Sequence, residues 1–202
     1  MNLELLGFLG RCQLDLLNEK LSQKKQQRTI MSTPCYVSIT GKTQGNITAG
    51  AFTADSVGNI YVQGHEDQML VQEVKHIVKV PTDPQSGQPS GQRAHQPLKL
   101  TVALNKAVPL LYNALASGEM LPKVELKWYR TSVEGKQEHY FTTTLEDATI
   151  VSIDLVMPHC QDPDKREFTQ LLELSLAYRK INWEHGIAGT SGSDDWRSLI
   201  EA

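Results

Sequence analysis

A chain of 202 residues, 40% hydrophobic and 21% charged, has room for one globular domain with tails. Its formal net charge of -3 supplies no electrostatic attraction for nucleic acid or an anionic membrane, and no apolar run approaches the ~20 residues that cross a bilayer. Cys12, Cys35 and Cys160, with no CxxC spacing, form neither a disulfide framework nor a zinc pattern and fit reduced thiols in a cytosol.

Residues 1–30 are patterned unlike the rest. Leu3, Leu6, Leu9, Leu14, Leu17 and Leu21 suggest an amphipathic helix, and a polar run from Ser22 to Arg28 follows. Glu4 in place of a positive n-region, Arg11 inside the apolar run and the lack of a small-residue cleavage site argue against a signal peptide. Met31 reads as a natural start. The segment is expected to be a dispensable extension, helical or disordered, or the result of an upstream start codon chosen in error. A partner-binding helix is the minority reading.

From Cys35 the period becomes two. Tyr36 to Thr40 alternates and stops at Gly41, and Gly45, Gly50 and Gly58 punctuate short runs that include Asn59-Ile-Tyr-Val62. Residues 69–80 are long enough for one bent strand or two, anchored by Met69, Val71, Ile77 and Val78. The Pro-, Gly-, Ser- and Gln-rich stretch 81–97 has no period and reads as a long exposed loop. Leu98, Leu100, Val102 and Leu104 then alternate with Lys99, Thr101 and Ala103.

Residues 105–118 are the one convincing helix of the body. Val108, Leu111, Ala114 and Leu115 share a face, Pro109 fits only the first turn, and Gly118 is suited to the position just past the last. At about ten residues it is too short to stand alone and must dock on a sheet. After it, Val124, Leu126 and Trp128 alternate with Lys123, Glu125 and Lys127, and Glu134-Gly135 turns the chain into a strand from Tyr140 to Leu145 that continues through Thr149, Val151 and Ile153. An exposed loop spans 158–164. Phe168, Leu172, Leu174, Leu176 and Tyr178 then share a face, while Ile181 and Trp183 take the opposite parity, which implies a bulge or bend near Arg179 and Lys180. Residues 186–202 read as a flexible tail. The expected fold is mainly β, an antiparallel β-barrel or sandwich over 31–185 with one short flanking α-helix at about 107–117.

None of the candidate chemical motifs outweighs its plainer explanation. Gly41-Lys-Thr43 ends a phosphate-loop consensus, but Tyr36 stands where the leading glycine belongs, so the stretch is read as a turn. Asn46-Ile-Thr48 matches a glycosylation acceptor by chance. His159, Cys160, Asp162 and Asp164 are adjacent ligands on a proline-bounded loop and lack a second half-site. Residues 189–193 miss the GxSxG spacing. Glu134, Glu138, Glu146 and Asp147 are explained as the solvated side of strands and turns. No catalytic residue, cofactor or metal is expected.

The ordered series Ile39-Thr-Gly-Lys-Thr43, Ala54-Asp-Ser56, Val80-Pro-Thr-Asp-Pro-Gln-Ser-Gly87, Ala114-Leu-Ala-Ser-Gly-Glu119, Val124-Glu-Leu-Lys-Trp-Tyr-Arg130, His139-Tyr-Phe-Thr-Thr-Thr-Leu-Glu146 and Tyr178-Arg-Lys-Ile-Asn-Trp-Glu-His185 closely resembles the haemolysin-coregulated protein (Hcp) family, the tube protein of bacterial type VI secretion. The resemblance runs from about Met31 to Trp196 and leaves the first thirty residues outside. It implies a β-barrel that assembles into hexameric rings. These stack into a tube driven out by a contractile sheath, with a spike protein at the tip and effector cargo in the lumen. It also implies a cytoplasmic protein exported without a signal peptide, inserting in no membrane and binding no nucleic acid. With only Ser198 to Ala202 after the barrel, the chain resembles a plain tube subunit without a toxin domain. A monomeric ligand-binding barrel and the tail-tube protein of a contractile phage are the alternatives.

By the same resemblance, the loop from Asp83 to Gln96 is expected to reach toward a neighbouring ring, with Asp83, Gln85, Gln88, Gln92, Arg93 and His95 as stacking residues. Polar residues alternating with core positions, namely Glu73, Thr101, Lys123, Glu125, Lys127 and Glu173, are expected to be shared between outer wall, subunit contact and lumen.

Overall fold

The computed structural model describes residues 33–157, 159, 161–162 and 169–197. The expected extension 1–30, Cys12, Cys160, Asp164 and Phe168 lie outside them.

Among the described residues eleven strands follow in order: β1 (Cys35–Gly41), β2 (Gly45–Asn46), β3 (Met69–Lys75), β4 (Val78–Lys79), β5 (Ala94–His95), β6 (Leu98–Ala103), β7 (Met120–Thr131), β8 (Gln137–Val156), β9 (Leu171–Ala177), β10 (Lys180–His185) and β11 (Thr190–Asp195). Two short α-helices interrupt them among the described residues, α1 (Ala54–Val57) and α2 (Val108–Ser117). All pairings are antiparallel.

Strands β8, β7, β1, β3, β6 and β9 pair in that order, and β9 returns to β8, so the sheet closes on itself. The 20-residue β8 makes this closure possible. Its second half pairs with β9 (Thr149↔Ala177 to Val156↔Leu171) and its first half with β10 (Lys180↔Glu146 to His185↔Phe141). The two halves are bent about Asp147, a non-glycine residue at φ 51°. The parity switch expected near Arg179 and Lys180 is the matching break between β9 and β10, where Arg179 N–H donates to the Glu146 carbonyl. Bulges at Val71/Glu73, Trp128/Tyr129 and Ile150/Ser152 add the curvature that closure demands.

The inward positions of these strands fill the barrel. Val37, Ile39, Leu100, Val102, Leu121, Val124, Leu126, Leu145, Leu172, Leu174 and Leu176 are buried. Each such side chain contributes about 1.5–3 kcal/mol by leaving water. Helix α2 packs on β8 through Val108, Leu111 and Ala114, with Leu115 partly buried against the core. Pro109 lies in its first turn. Gly118, at φ 63°, closes its end, its N–H bonding the Leu115 carbonyl while Glu119 N–H bonds that of Ala114. The expected helix is there, at the expected place.

Two expectations change here. Asn59-Ile-Tyr-Val62 is not a strand: Gly58–Ile60 form a 3-10 turn after α1, and Ile60, Tyr61 and Val62 stay exposed. Four alternating residues without a partner strand have no ladder to join, and Tyr61 Oη donates instead to Glu66 nearby. Of the two readings of residues 69–80, one bent strand or two, the structure has two, β3 and β4. Within the expected tail, 190–195 form β11, paired along its length with β10 after a turn at Gly189 (φ 67°). Its Ser- and Gly-rich composition carries no strand signal. The β10 ladder holds it, and the side chain of Asp194 anchors it.

Candidate assembly surfaces and the hairpin anchor

Register converts the alternating polar residues into rows across strands. Ser38 (β1), Glu125 (β7), Thr144 (β8), Asn182 (β10) and Ser193 (β11) lie side by side. On one flank run Thr40, Lys123, Glu146, Lys180 and Asp195; on the other, Lys127, Thr142, Glu184 and Ser191. Together they make one polar face over five strands, backed by the buried Val37, Ile39, Val124, Leu126 and Leu145. Glu125 pairs with Lys123 at 3.2 Å and Lys127 at 3.8 Å, and Glu146 takes a hydrogen bond from Asn182 at 2.6 Å. The charges are of mixed sign and largely satisfied within the face.

The other expected surface residues are elsewhere. Glu73 (β3), Thr101 (β6) and Glu173 (β9) form a single cross-strand row that continues to Asp154 of β8, flanked by Lys75 and Lys99. Thus Lys123, Glu125 and Lys127 belong to one face, and Glu73, Thr101 and Glu173 to another. Sequence alternation gives parity, but only the pairing order distributes strands around the barrel.

The stretch expected as an unstructured loop is a hairpin. β4 pairs with β5, Thr82 bridges Pro89, and Ser90 N–H donates to the Pro81 carbonyl. Asp83 closes the tip: its carboxylate accepts from Gln85 N–H at 3.0 Å and Ser86 Oγ at 2.8 Å, and these bonds hold it below the ordinary carboxylate range. Gln85, Gln88 and Gln92 are exposed, whereas Arg93 is half-buried and His95 buried. So the six expected stacking residues divide into an exposed set of glutamines, a turn-former and two inward anchors.

Those anchors meet the C-terminal strand. Arg93 grips the Asp194 carboxylate through Nε and Nη2, and Nη2 also donates to the Asp195 carbonyl at 2.9 Å. His95 Nε2 lies 2.8 Å from Asp194 Oδ2, and His95 Nδ1 lies 2.8 Å from Tyr178 Oη. Tyr178 Oη is also 2.6 Å from His76 Nε2. The guanidinium holds Asp194 below the usual carboxylate range, with help from His95.

A hydroxyl, an imidazole and a carboxylate in a line have the form of a nucleophilic triad, but the chemistry runs the wrong way. Burial pushes the Tyr178 phenol up to about 12, so it stays protonated. The cavity beside it, lined by His95, Gln96, Pro97, Ala177, Tyr178 and Trp196, measures ≈ 30 Å³, space for a water and not for an organic substrate. The line is an anchor. Sequence reading missed Asp194, Tyr178 and His76 here, because partners ~100 residues apart share no local pattern.

A second anchor lies at the turn between β1 and β2. Glu119, next to the helix-ending Gly118, accepts from Thr43 N–H at 2.6 Å, Gln44 N–H at 2.9 Å and Gln44 Nε2 at 2.8 Å. These bonds keep its carboxyl below the usual range. A side chain at Gly41 would place its Cβ 2.5 Å from Glu119 Oε1, so the glycine leaves room for the carboxylate where it now sits. The Gly-Lys-Thr run is thereby a turn whose backbone N–H groups face a carboxylate, and a bound phosphate would meet that negative charge. Among the described residues no group of His, Cys, Asp and Glu side chains is arranged to hold a metal ion.

A family profile described as "Type VI secretion system effector, Hcp" matches residues 36–185. The chain belongs to the Hcp family. This Hcp chain is 61% identical over 170 residues to the "Major exported protein" of Pseudomonas aeruginosa, covering 84% of this chain and 99% of that one. Its fold superposes on a crystal structure of an Hcp protein with TM-score 0.78 at 57% identity, over 82% of this chain and 100% of the other. The secreted protein Hcp3 from Pseudomonas aeruginosa follows with TM-score 0.71 at 53% identity, over 83% and 100%. The family match begins one residue after β1 starts and ends at the last residue of β10, so β11 and Asp194 lie beyond it.

Proposed function

We propose that this Hcp protein is a structural subunit of the type VI secretion tube, closing into rings of six that stack around a hydrated channel. The observation that carries this reading is the five-strand polar face laid over an apolar core. Such a face is suited to line a water-filled passage, and its mixed, internally paired charges would hold a passing cargo loosely. A second feature supports ring closure. Among the described residues no further strand pairs with the outer edge of β11, and an uncovered edge is a template for another chain. Head-to-tail contacts between unlike surfaces close rings without two-fold axes. Exposed glutamines on the hairpin 77–96 would then meet the adjacent ring.

In this reading the protein is exported, as the name of its Pseudomonas aeruginosa relative says of that protein. It acts with a tip spike and a contractile sheath, carries effectors and has no enzymatic activity of its own. Light scattering and electron microscopy of the purified protein test the proposal. Rings of six with a central channel are expected. A monomer or dimer at every concentration and salt, with no rings on grids, overturns it in favour of a monomeric binding barrel.

A further inference from the structure

The hairpin 77–96 is fastened at both ends by one hydrogen-bonded chain, His76–Tyr178–His95–Asp194. His76 directly precedes the hairpin and His95 lies in its second strand, while Gln96 N–H closes the base on the Ile77 carbonyl. The two histidines therefore share the single oxygen of Tyr178, while Arg93 and His95 also hold the second strand to Asp194 directly.

Counting hydrogens along this chain gives a limit. Ionised Asp194 only accepts, so His95 Nε2 carries a hydrogen. With His95 neutral, its Nδ1 accepts from Tyr178, and Tyr178 accepts from His76 Nε2–H. With His95 charged, its Nδ1–H donates to Tyr178, and Tyr178 donates to a neutral His76. Both arrangements satisfy every group, and they differ by one proton. A further proton has no place. If both imidazoles are charged, two N–H groups point at one phenol oxygen and the phenol hydrogen loses its acceptor. Two cations would then also stand with ring centroids 6.4 Å apart.

His76 makes no ion pair to a carboxylate among the described residues. Among the described residues it faces Tyr178 from the β9–β10 joint, His95 from β5 and the Trp183 ring from β10. The acid, Asp194 of β11, lies on the far side of His95 and is shared with Arg93, while Arg179 is engaged with Asp147 and Asp195.

We propose that this chain is an acid-released latch, in which protonation of His76, added to a charged His95, frees the His76 end of the hairpin 77–96 from the barrel while Arg93 keeps the other strand on Asp194. Burial, and then the charge of His95, hold His76 below its ordinary value of 6.5. The closed latch thus binds this proton more weakly than the open one. Closure is fully stable above 6.5 and is lost as pH falls from 6.5 through the depressed value. Asp194, held below 3.8, stays charged throughout that window and cannot be the trigger. The latch goes beyond the tube reading and does not depend on it.

Hydrogen exchange on the full-length protein in its native assembly tests this between pH 8 and 5, with intrinsic exchange rates corrected. Opening of 76–79, the His76 end of the hairpin, is expected to rise below pH 6.5 by up to about tenfold per pH unit, the response of one proton, while β7 stays protected. His76→Gln keeps a polar partner for Tyr178 and abolishes the charge, so its profile should be flat; His76→Asn serves if the first variant is insoluble. A native hairpin whose protection ignores pH overturns the latch. So does a neutral variant that keeps the native acid response.

Discussion

Tyr178→Phe removes one oxygen from the molecule's interior and tests whether the anchor is structural. The ring keeps its shape and its place beneath His95, so the substitution opens no cavity beyond the hydroxyl itself. Two hydrogen bonds vanish, at 2.6 Å and 2.8 Å. Each contributes about 0.5–1.5 kcal/mol net, and stranding a ring nitrogen of His95, only 8% exposed, adds part of a desolvation penalty of about 1–3 kcal/mol. A water admitted to the ≈ 30 Å³ cavity would recover some of that loss. The expected destabilisation is therefore about 2 kcal/mol. Urea unfolding at pH 7.5 measures it, with wild type and variant at one protomer concentration because association would shift the midpoint. The phenol is protonated at that pH, since its pKa is raised to about 12, so the value reports the bonds and not a titration. A loss below about 0.5 kcal/mol at unchanged slope would refute the argument.

Gly41→Ala should displace the Glu119 carboxylate from the 43–44 turn and lower the melting temperature. The same change in a Glu119→Ala background should cost much less, and equal effects in both backgrounds would dissociate the two residues. Because Glu119 is held below its ordinary 4.5, its stabilisation is present above that value and lost as pH falls below it; Glu119→Gln should flatten this part of the stability profile in an acid melting series. Replacing 84–91 by a Gly-Ser turn keeps Arg93, His95 and Asp194 and should spare the isolated ring while abolishing stacking and secretion, read by electron microscopy and export assays. A chain that starts at Met31 should fold and assemble to the same state as the full chain. Insolubility or a monomer on size exclusion, where the full chain forms rings, would count against a dispensable extension.

The family profile covers the segment in which local pattern was strongest, and the reasons are physical. Strict alternation in 98–104 and 123–128 specified which side chains face the core, because a one-residue slip would turn Leu100 or Leu126 to water. Pro109 and Gly118 bounded the helix, since neither suits its interior. The change of parity after Tyr178 marked the bend between β9 and β10. These features depend on neighbours within a few residues, so the sequence alone determined a mainly β barrel with one docked helix and a curved closing strand.

The site was decided otherwise. Nothing local distinguishes Asp194 from any acid in a Ser- and Gly-rich segment, yet its bonds to Arg93 and His95 span 99 to 101 residues and turn an expected tail into β11. The same holds for Glu119 and its turn 75 and 76 residues away, and for the division of Lys123, Glu125 and Lys127 from Glu73, Thr101 and Glu173 between two faces. Periodicity reports which side of a strand is wet. Which strands are neighbours, and which distant partner a buried charge finds, is set only when the sheet closes, because those pairings exist nowhere in the unfolded chain.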